Sequence, residues 1–120
     1  MTARVAIVIL NWNGQHFLER CLPTLHAQTF RDFEIILVDN GSEDGSLPFL
    51  ETHYPEVRLI RNRENQGFAA ANNQGIRASD SEFVATLNND TEVEPDWLEA
   101  LIGAADAADG RTGAFASKML

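Results

Sequence analysis

Three scarcities narrow the possibilities at the outset. There is one cysteine, Cys21, so no intrachain disulfide can form, which fits a reducing compartment. Basic residues are few: 9 Lys and Arg stand against 18 Asp and Glu, a formal charge of −9, and such a chain repels a phosphate backbone. Nucleic acid is not an expected partner. The longest apolar stretches, residues 5–10 and 35–38, fall far short of the roughly 20 needed to cross a bilayer, and no basic segment precedes a cleavable apolar one. Neither a membrane span nor an export signal is expected. Gly-x-Gly-x-x-Gly, a P-loop lysine and a Gly-x-Ser-x-Gly elbow are also missing, which removes the commonest dinucleotide, NTPase and hydrolase readings.

What is present is ordinary globular material. The 120 residues are 44% hydrophobic and 22% charged, enough for one domain with a buried core and too few for two. Short aliphatic runs alternate with helical patterns, punctuated by Asn, Asp and Gly. Residues 5–10 and 33–38 are continuous apolar runs of strand length, the pattern of strands covered on both faces. Residues 57–60 and 83–87 read as a third and a fourth strand, and 113–116 as the start of a fifth. Phe17, Leu18, Cys21, Leu22 and Leu25 fall at helical spacing behind Asn13, an expected N-cap, with Pro23 expected to bend or shorten the helix. Residues 45–53 form a short helical candidate, and 67–78 an Ala-rich one that Asn65 is placed to cap. Pro95 suits the first turn of a fourth helix with an apolar stripe of Trp97, Leu98, Leu101, Ile102 and Ala105. The expected fold is α/β: a three-layer α/β/α arrangement around a mostly parallel, Rossmann-like sheet.

In such sheets ligands bind beyond the carboxyl ends of the strands, where loops converge and helix N-termini present N–H groups. Every expected strand end carries amides or a carboxylate: Asn11-Trp12-Asn13-Gly14, Asp39-Asn40-Gly41-Ser42, residues 62–67 and Asn88-Asn89-Asp90-Thr91. Asp39 either accepts from a ribose hydroxyl or pyrimidine N–H or simply closes an Asx turn. Trp12 either stacks on a base or packs. Asp90 with Asn88 and Asn89 offers oxygen donors to a hard cation, or caps the next helix together with Thr91 and Glu92. Gly67 lets a ligand approach the backbone or merely makes a tight turn. His16, His26 and His53 lack paired metal-ligand spacing. Cys21 and Trp97 fit core positions, and the acidic run Glu92, Glu94, Asp96, Glu99 fits a solvated helix start.

Taken in order, VAIVILNWNG, FEIILVDNGSEDGS, NRENQGFAAANNQGI and FVATLNNDTEVEPDWLEAL closely resemble family 2 glycosyltransferases of the GT-A fold, across nearly the whole chain. The likeness is greatest to the rhamnosyltransferase-like branch, where Asn-Trp-Asn replaces the more usual Thr-Tyr-Asn. The resemblance implies a donor site residue by residue. Asn11, Trp12 and Asn13 would flank the base, Asp39 would bond the pyrimidine or its sugar, and Asn65 to Gly67 would complete the cleft. Asn88 would face the ribose, and Asp90 would bind a divalent cation, Mg²⁺ or Mn²⁺, that grips the diphosphate. Two positions depart from the family pattern. Asn88 stands where an Asp is usual, removing a charge, and Asn72 stands where many relatives carry Arg, offering the nucleotide an amide instead. Donors with dTDP, UDP or GDP all remain open.

Members of the family continue well past a fifth strand, and their later half supplies the acceptor site and general base. Residues 1–120 are therefore expected to be the nucleotide-sugar-binding domain of an inverting glycosyltransferase acting on a saccharide or lipid-linked acceptor, incomplete at its C-terminus and inactive alone, with no catalytic base among its residues. The expected location is cytoplasmic, including the inner face of the membrane. An uncovered sheet edge would favour self-association or pairing with the missing half. The alternative is a non-catalytic assembly module that keeps the fold without transfer chemistry. A flavodoxin-like receiver shares the topology but wants acids after strand one, where Asn11 and Asn13 stand.

Overall fold

The computed structural model describes residues 3–107. Four strands and four helices alternate: β1 (Val5–Asn11), α1 (Gln15–His26), β2 (Phe33–Asp39), α2 (Ser46–His53), β3 (Arg58–Arg61), α3 (Phe68–Ala78), β4 (Phe83–Asn88) and α4 (Trp97–Ala107). The expected fifth strand at 113–116 lies outside the described residues. All pairings are parallel, in the order β3-β2-β1-β4.

Alternation along each strand sorts its side chains between two faces, and both faces of the central pair are covered. Val5, Ile7 and Ile9 of β1, with Ile35 and Leu37 of β2 and Leu87 of β4, join one large core with Leu18, Cys21, Leu22 and Leu25 of α1, Leu50 of α2, and Trp97, Leu98 and Ile102 of α4. Ala6, Val8 and Ile36 turn the other way, where α3 lies over β1 and β2. This is why residues 5–9 and 35–38 read as unbroken apolar runs: every one of them is buried. Strand β4 is different. Its Val84, Thr86 and Asn88 are exposed, because α3 sits over β1 and β2 and no described element covers that face of β4.

Small side chains on α3 allow it to lie close to the sheet. Ala71 and Gly75 are buried, and a Cβ on Gly75 would stand 2.4 Å from Val8 Cγ1 and 3.2 Å from Val38 Cγ2. Glycine is required there by contact, not by backbone angle.

Several local expectations are corrected. Asn13 does not cap α1; the N-cap is Gly14, and the free Gln15 amide donates to Asp44 Oδ2 at 3.1 Å, a carboxylate from the β2–α2 loop. Asn13 instead adopts a left-handed backbone with φ 49° and accepts from the Glu43 amide at 2.7 Å. Helix α1 runs through Pro23, which is exposed and neither ends nor shortens it. Phe17 is 40% exposed and lies off the buried stripe. The N-cap of α3 is Gly67 itself, while Asn65 Oδ1 accepts the Gly67 amide at 2.8 Å one step earlier. Pro95 precedes α4 by two residues, and its carbonyl accepts the Thr29 amide at 2.9 Å.

Candidate functional site

The strand order reverses beside β1: β2 and β3 add on one side, and the chain then crosses through α3 to place β4 on the other. Crevices at such a reversal, beyond the carboxyl ends, are where α/β sheets bind ligands. Register decides what meets there. Asn11 pairs with Asp39, and Leu10 with Asn88, so the ends of β1, β2 and β4 stop level on one rim. Asp39 and Asp90, fifty-one positions apart in the chain, both belong to that rim.

Two amide networks organise it. In the first, Asn11 is wholly buried and Asp39 is 1% exposed. Asn11 Nδ2 donates to Asp39 Oδ1 at 3.0 Å, and Asn89 Nδ2 donates to Asn11 Oδ1 at 2.9 Å. Ser42 closes the turn on Asp39, its amide donating to Oδ2 at 3.0 Å and its hydroxyl to Oδ1 at 2.7 Å. The Asn13 amide donates to that same hydroxyl oxygen at 2.8 Å. The Asx turn at Asp39 is thus formed. A carboxylate offers about four acceptor positions, and described residues fill three of them at Asp39, two on Oδ1 and one on Oδ2.

The second network joins β2, β3 and α3 through amides whose grouping is not evident from the chain order. Asn40 Nδ2 donates to Asn65 Oδ1 at 2.9 Å, while Asn40 Oδ1 accepts from the Gln66 amide at 2.8 Å and from Asn62 Nδ2 at 3.2 Å. Asn62 and Gln74 bond reciprocally at 2.7 and 2.9 Å. Asn40 and Asn62 belong to the polar strand ends legible in the sequence, without a role assigned to either, and Gln74 lies outside them; the density of amides between residues 62 and 74 is the signal for the grouping. This network holds Gly67 at φ 88°, a conformation open to glycine, with no atom within 4 Å of where a Cβ would stand.

The other expected residues occupy the same rim in different ways. Trp12 is 55% exposed, available as a flat face, and Phe68 beside Gly67 is 67% exposed. Asn88 and Asp90 are both exposed. Asn11, expected to flank the base, bonds inward to Asp39, Ser42 and Asn89, and like Asp39 it is almost wholly buried. Asn13 is likewise committed to the 42–44 loop. Asn72 lies within α3 and takes part in neither network.

Asp44 reads the electrostatics of this loop. Partial desolvation pushes its carboxyl up, but the hydrogen bonds it accepts from Ser46 and Gln15 outweigh that and hold it below its ordinary value. Two hollows, of about 220 and 430 Å³, lie away from the rim, against α1, α2 and β3, and share Tyr54.

Residues 6–116 match the model of glycosyl transferase family 2. The chain belongs to that family. EpsH of Bacillus subtilis is 34% identical over 104 residues, covering 84% of this chain and 30% of EpsH. The S. aureus TarS 1–349 structure in complex with UDP superposes with a TM-score of 0.78 at 21% identity, over 88% of this chain and 32% of that one. The Pyrobaculum calidifontis mannosyltransferase PcManGT, solved with GDP-Man and Mn²⁺, gives 0.78 at 24% identity, over 91% and 34%. The fold is therefore the Rossmann-like sheet of GT-A enzymes. This family 2 chain spans about a third of the length of each of these relatives.

Proposed function

We propose that this chain is the donor-binding portion of an inverting glycosyltransferase that takes a nucleoside diphosphate sugar along the strand-end rim. The observation that supports the reading is the level register of β1, β2 and β4, which ends Asp39 and Asn88 on one rim at the reversal of strand order, with Asp90 two residues further along. Trp12 supplies a stacking face for the base, and Asp39 Oδ2, which accepts the Ser42 amide, is the atom proposed to meet a base N–H or ribose hydroxyl. The Asn65–Gly67 turn admits the ligand to the backbone, Asn72 offers an amide from α3, and Asn88 faces the ribose. Relatives solved with UDP and with GDP-Man support a nucleoside diphosphate, with UDP, GDP and dTDP as the donors to try.

Charge argues for a cation at this rim. Asp39 ends β2, and Glu43, Asp44, Glu64 and Asp90 stand on the loops of the rim against Arg63, in a chain of net charge −9, a field that disfavours a bare diphosphate. Among the described residues no group of three or more His, Cys, Asp or Glu could cage an ion by itself. Asp90 and the Asn88 side-chain oxygen nevertheless suit a hard cation such as Mg²⁺ or Mn²⁺ whose remaining ligands come from the diphosphate and water. Bound there, the ion would neutralise charge on the departing diphosphate. The proposed transfer is to a saccharide or lipid-linked acceptor, and no catalytic base is assigned among these residues. No helix among the described residues is long and apolar enough to cross a membrane; work at the inner face of a membrane remains part of the proposal.

Thermal shift with UDP, GDP and dTDP, each with and without Mn²⁺, tests it. A ligand at a hundred times its Kd adds about 2.7 kcal/mol, and Asp90→Ala should remove only the metal-dependent increment. No shift with any of the nucleotides refutes the reading. The second reading, an assembly module, draws on the exposed β4 face with Val84 38% exposed. Light scattering that finds a concentration-independent monomer which binds nucleotide would remove it.

A further inference from the structure

The polarity of the Asp39–Asn11–Asn89 chain carries information that its distances alone do not. An ionised carboxylate only accepts, so the Asn11 amide must turn its Nδ2 toward Asp39 Oδ1, at 3.0 Å. That leaves Asn11 Oδ1, an acceptor, facing position 89. Whatever stands at 89 must therefore donate, and Asn89 does, through Nδ2 at 2.9 Å. Because Asn11 is wholly buried, water cannot take over a bond that fails.

The neighbouring backbone is built around the same bond. A Cβ on Gly14 would stand 2.3 Å from Asn89 Nδ2 and 2.6 Å from Asn11 Oδ1, so the first residue of the α1 cap is kept without a side chain where these two atoms meet. Asn89 is the middle residue of the Asn88-Asn89-Asp90 turn, whose Thr91 amide donates to the Asn88 carbonyl at 3.1 Å. One buried amide thus links the end of β2 to the turn that carries Asp90.

We infer that Asp39, Asn11 and Asn89 form a directional hydrogen-bond chain in which Asn89 acts as an obligatory donor and positioning residue for the Asp90 turn, with Gly14 reserved to admit it. The inference deepens the donor-site reading, and its geometric test stands apart from that reading. A carboxylate at position 89 has the size of Asn and adds negative charge beside Asp90. If Asn89 were only a turn residue near a cation, Asn89→Asp would tighten the cation. If it must donate, the same substitution sets an acceptor against Asn11 Oδ1 and releases the turn.

The experiment is amide hydrogen exchange on the 120-residue chain, read at Thr91, with the Asn62 amide bonded to the Asp39 carbonyl at 2.8 Å as internal reference. Asn89→Asp and Gly14→Ala are each expected to speed exchange at Thr91 at least tenfold while Asn62 changes less than threefold. The paired swap Asp39→Asn with Asn89→Asp reverses the chain's polarity: residue 39 can now donate, Asn11 can turn over, and Thr91 protection should return to within threefold of wild type. A second arm compares UDP affinity with and without Mn²⁺, where Asn89→Asp should cut the metal-dependent gain about tenfold. Unchanged protection at Thr91 in Asn89→Asp, a tighter Mn²⁺ response, or a swap no better than the single variant overturns the inference. A wild-type chain that binds no nucleotide but shows this exchange pattern refutes the donor-site reading and leaves the directional chain supported.

Discussion

Two glycines in two helices should answer the same substitution with opposite signs. Gly75 lies in α3 against the sheet, where an added methyl would stand 2.4 Å from Val8 Cγ1 and 3.2 Å from Val38 Cγ2. Val8 is wholly buried on the central strand, and its branched side chain has little rotamer freedom to yield. Overpacking of this kind costs about 1–3 kcal/mol, and the stiffness of the site puts it in the upper half of that range. Replacing a helical glycine by alanine returns about 1 kcal/mol of backbone entropy. The net for Gly75→Ala is a loss of about 1–2 kcal/mol. Gly103 in α4 is exposed with nothing among the described residues within 4 Å of its Cβ position, so Gly103→Ala keeps the gain of about 1 kcal/mol without the clash. Urea denaturation of the two variants should therefore separate them by about 2–3 kcal/mol on either side of wild type. The consequence reaches the rim, because α3 begins at Gly67: Gly75→Ala should also weaken nucleotide binding, whereas Gly103→Ala should not. A Gly75→Ala protein as stable as wild type would show that α3 does not rest on β1 as described.

Gln28 ties the end of α1 to the start of α4, accepting the Leu98 amide at 2.9 Å and donating to the Glu94 and Thr24 carbonyls at 2.7 and 3.1 Å while 2% exposed. Gln28→Ala leaves those groups unpaired and should cost about 2–3 kcal/mol by chemical denaturation; a loss under about 0.5 kcal/mol would mean that α4 is held by apolar contact alone. Burial first, then the negative charges of Asp90 and Glu92, push the Cys21 thiol from 9.0 up to about 12. Native protein at pH 8 should resist thiol reagents that label it fully in denaturant. The folded thiol keeps its proton where the unfolded one loses it, so this contribution is complete below pH 9 and fades as pH rises toward 12, and Cys21→Ser should flatten that alkaline loss of stability.

Strand and helix identities were written locally. Residues 5–9 and 35–38 are uninterrupted aliphatics because two helical layers cover them, and Leu18, Cys21, Leu22 and Leu25 repeat at the spacing of one helical face. The polar residues closing each strand were legible too, since parallel strands must end at a common edge for their loops to converge. Boundaries and caps were less so. Asn13 looks like a cap for the helix after it, yet it serves a loop thirty residues away, and the first amide of the helix is taken by Asp44 from that same loop. No local pattern distinguishes the two outcomes.

The same holds at the rim. Asn11, Asn40, Asn62, Asn65, Asn88 and Asn89 carry the same side chain, and what each one does depends on its depth and on which neighbours it meets. The order of residues determined that this chain forms a parallel sheet with amides and carboxylates at its edge, because periodicity and turn chemistry act within a few positions. Register and packing alone decided that Asn11 is a buried link, that Asp39 closes on Ser42 and that Asn89, next to Asp90, bonds to the same network, because hydrogen bonds between strands depend on distances that the order along the chain does not contain.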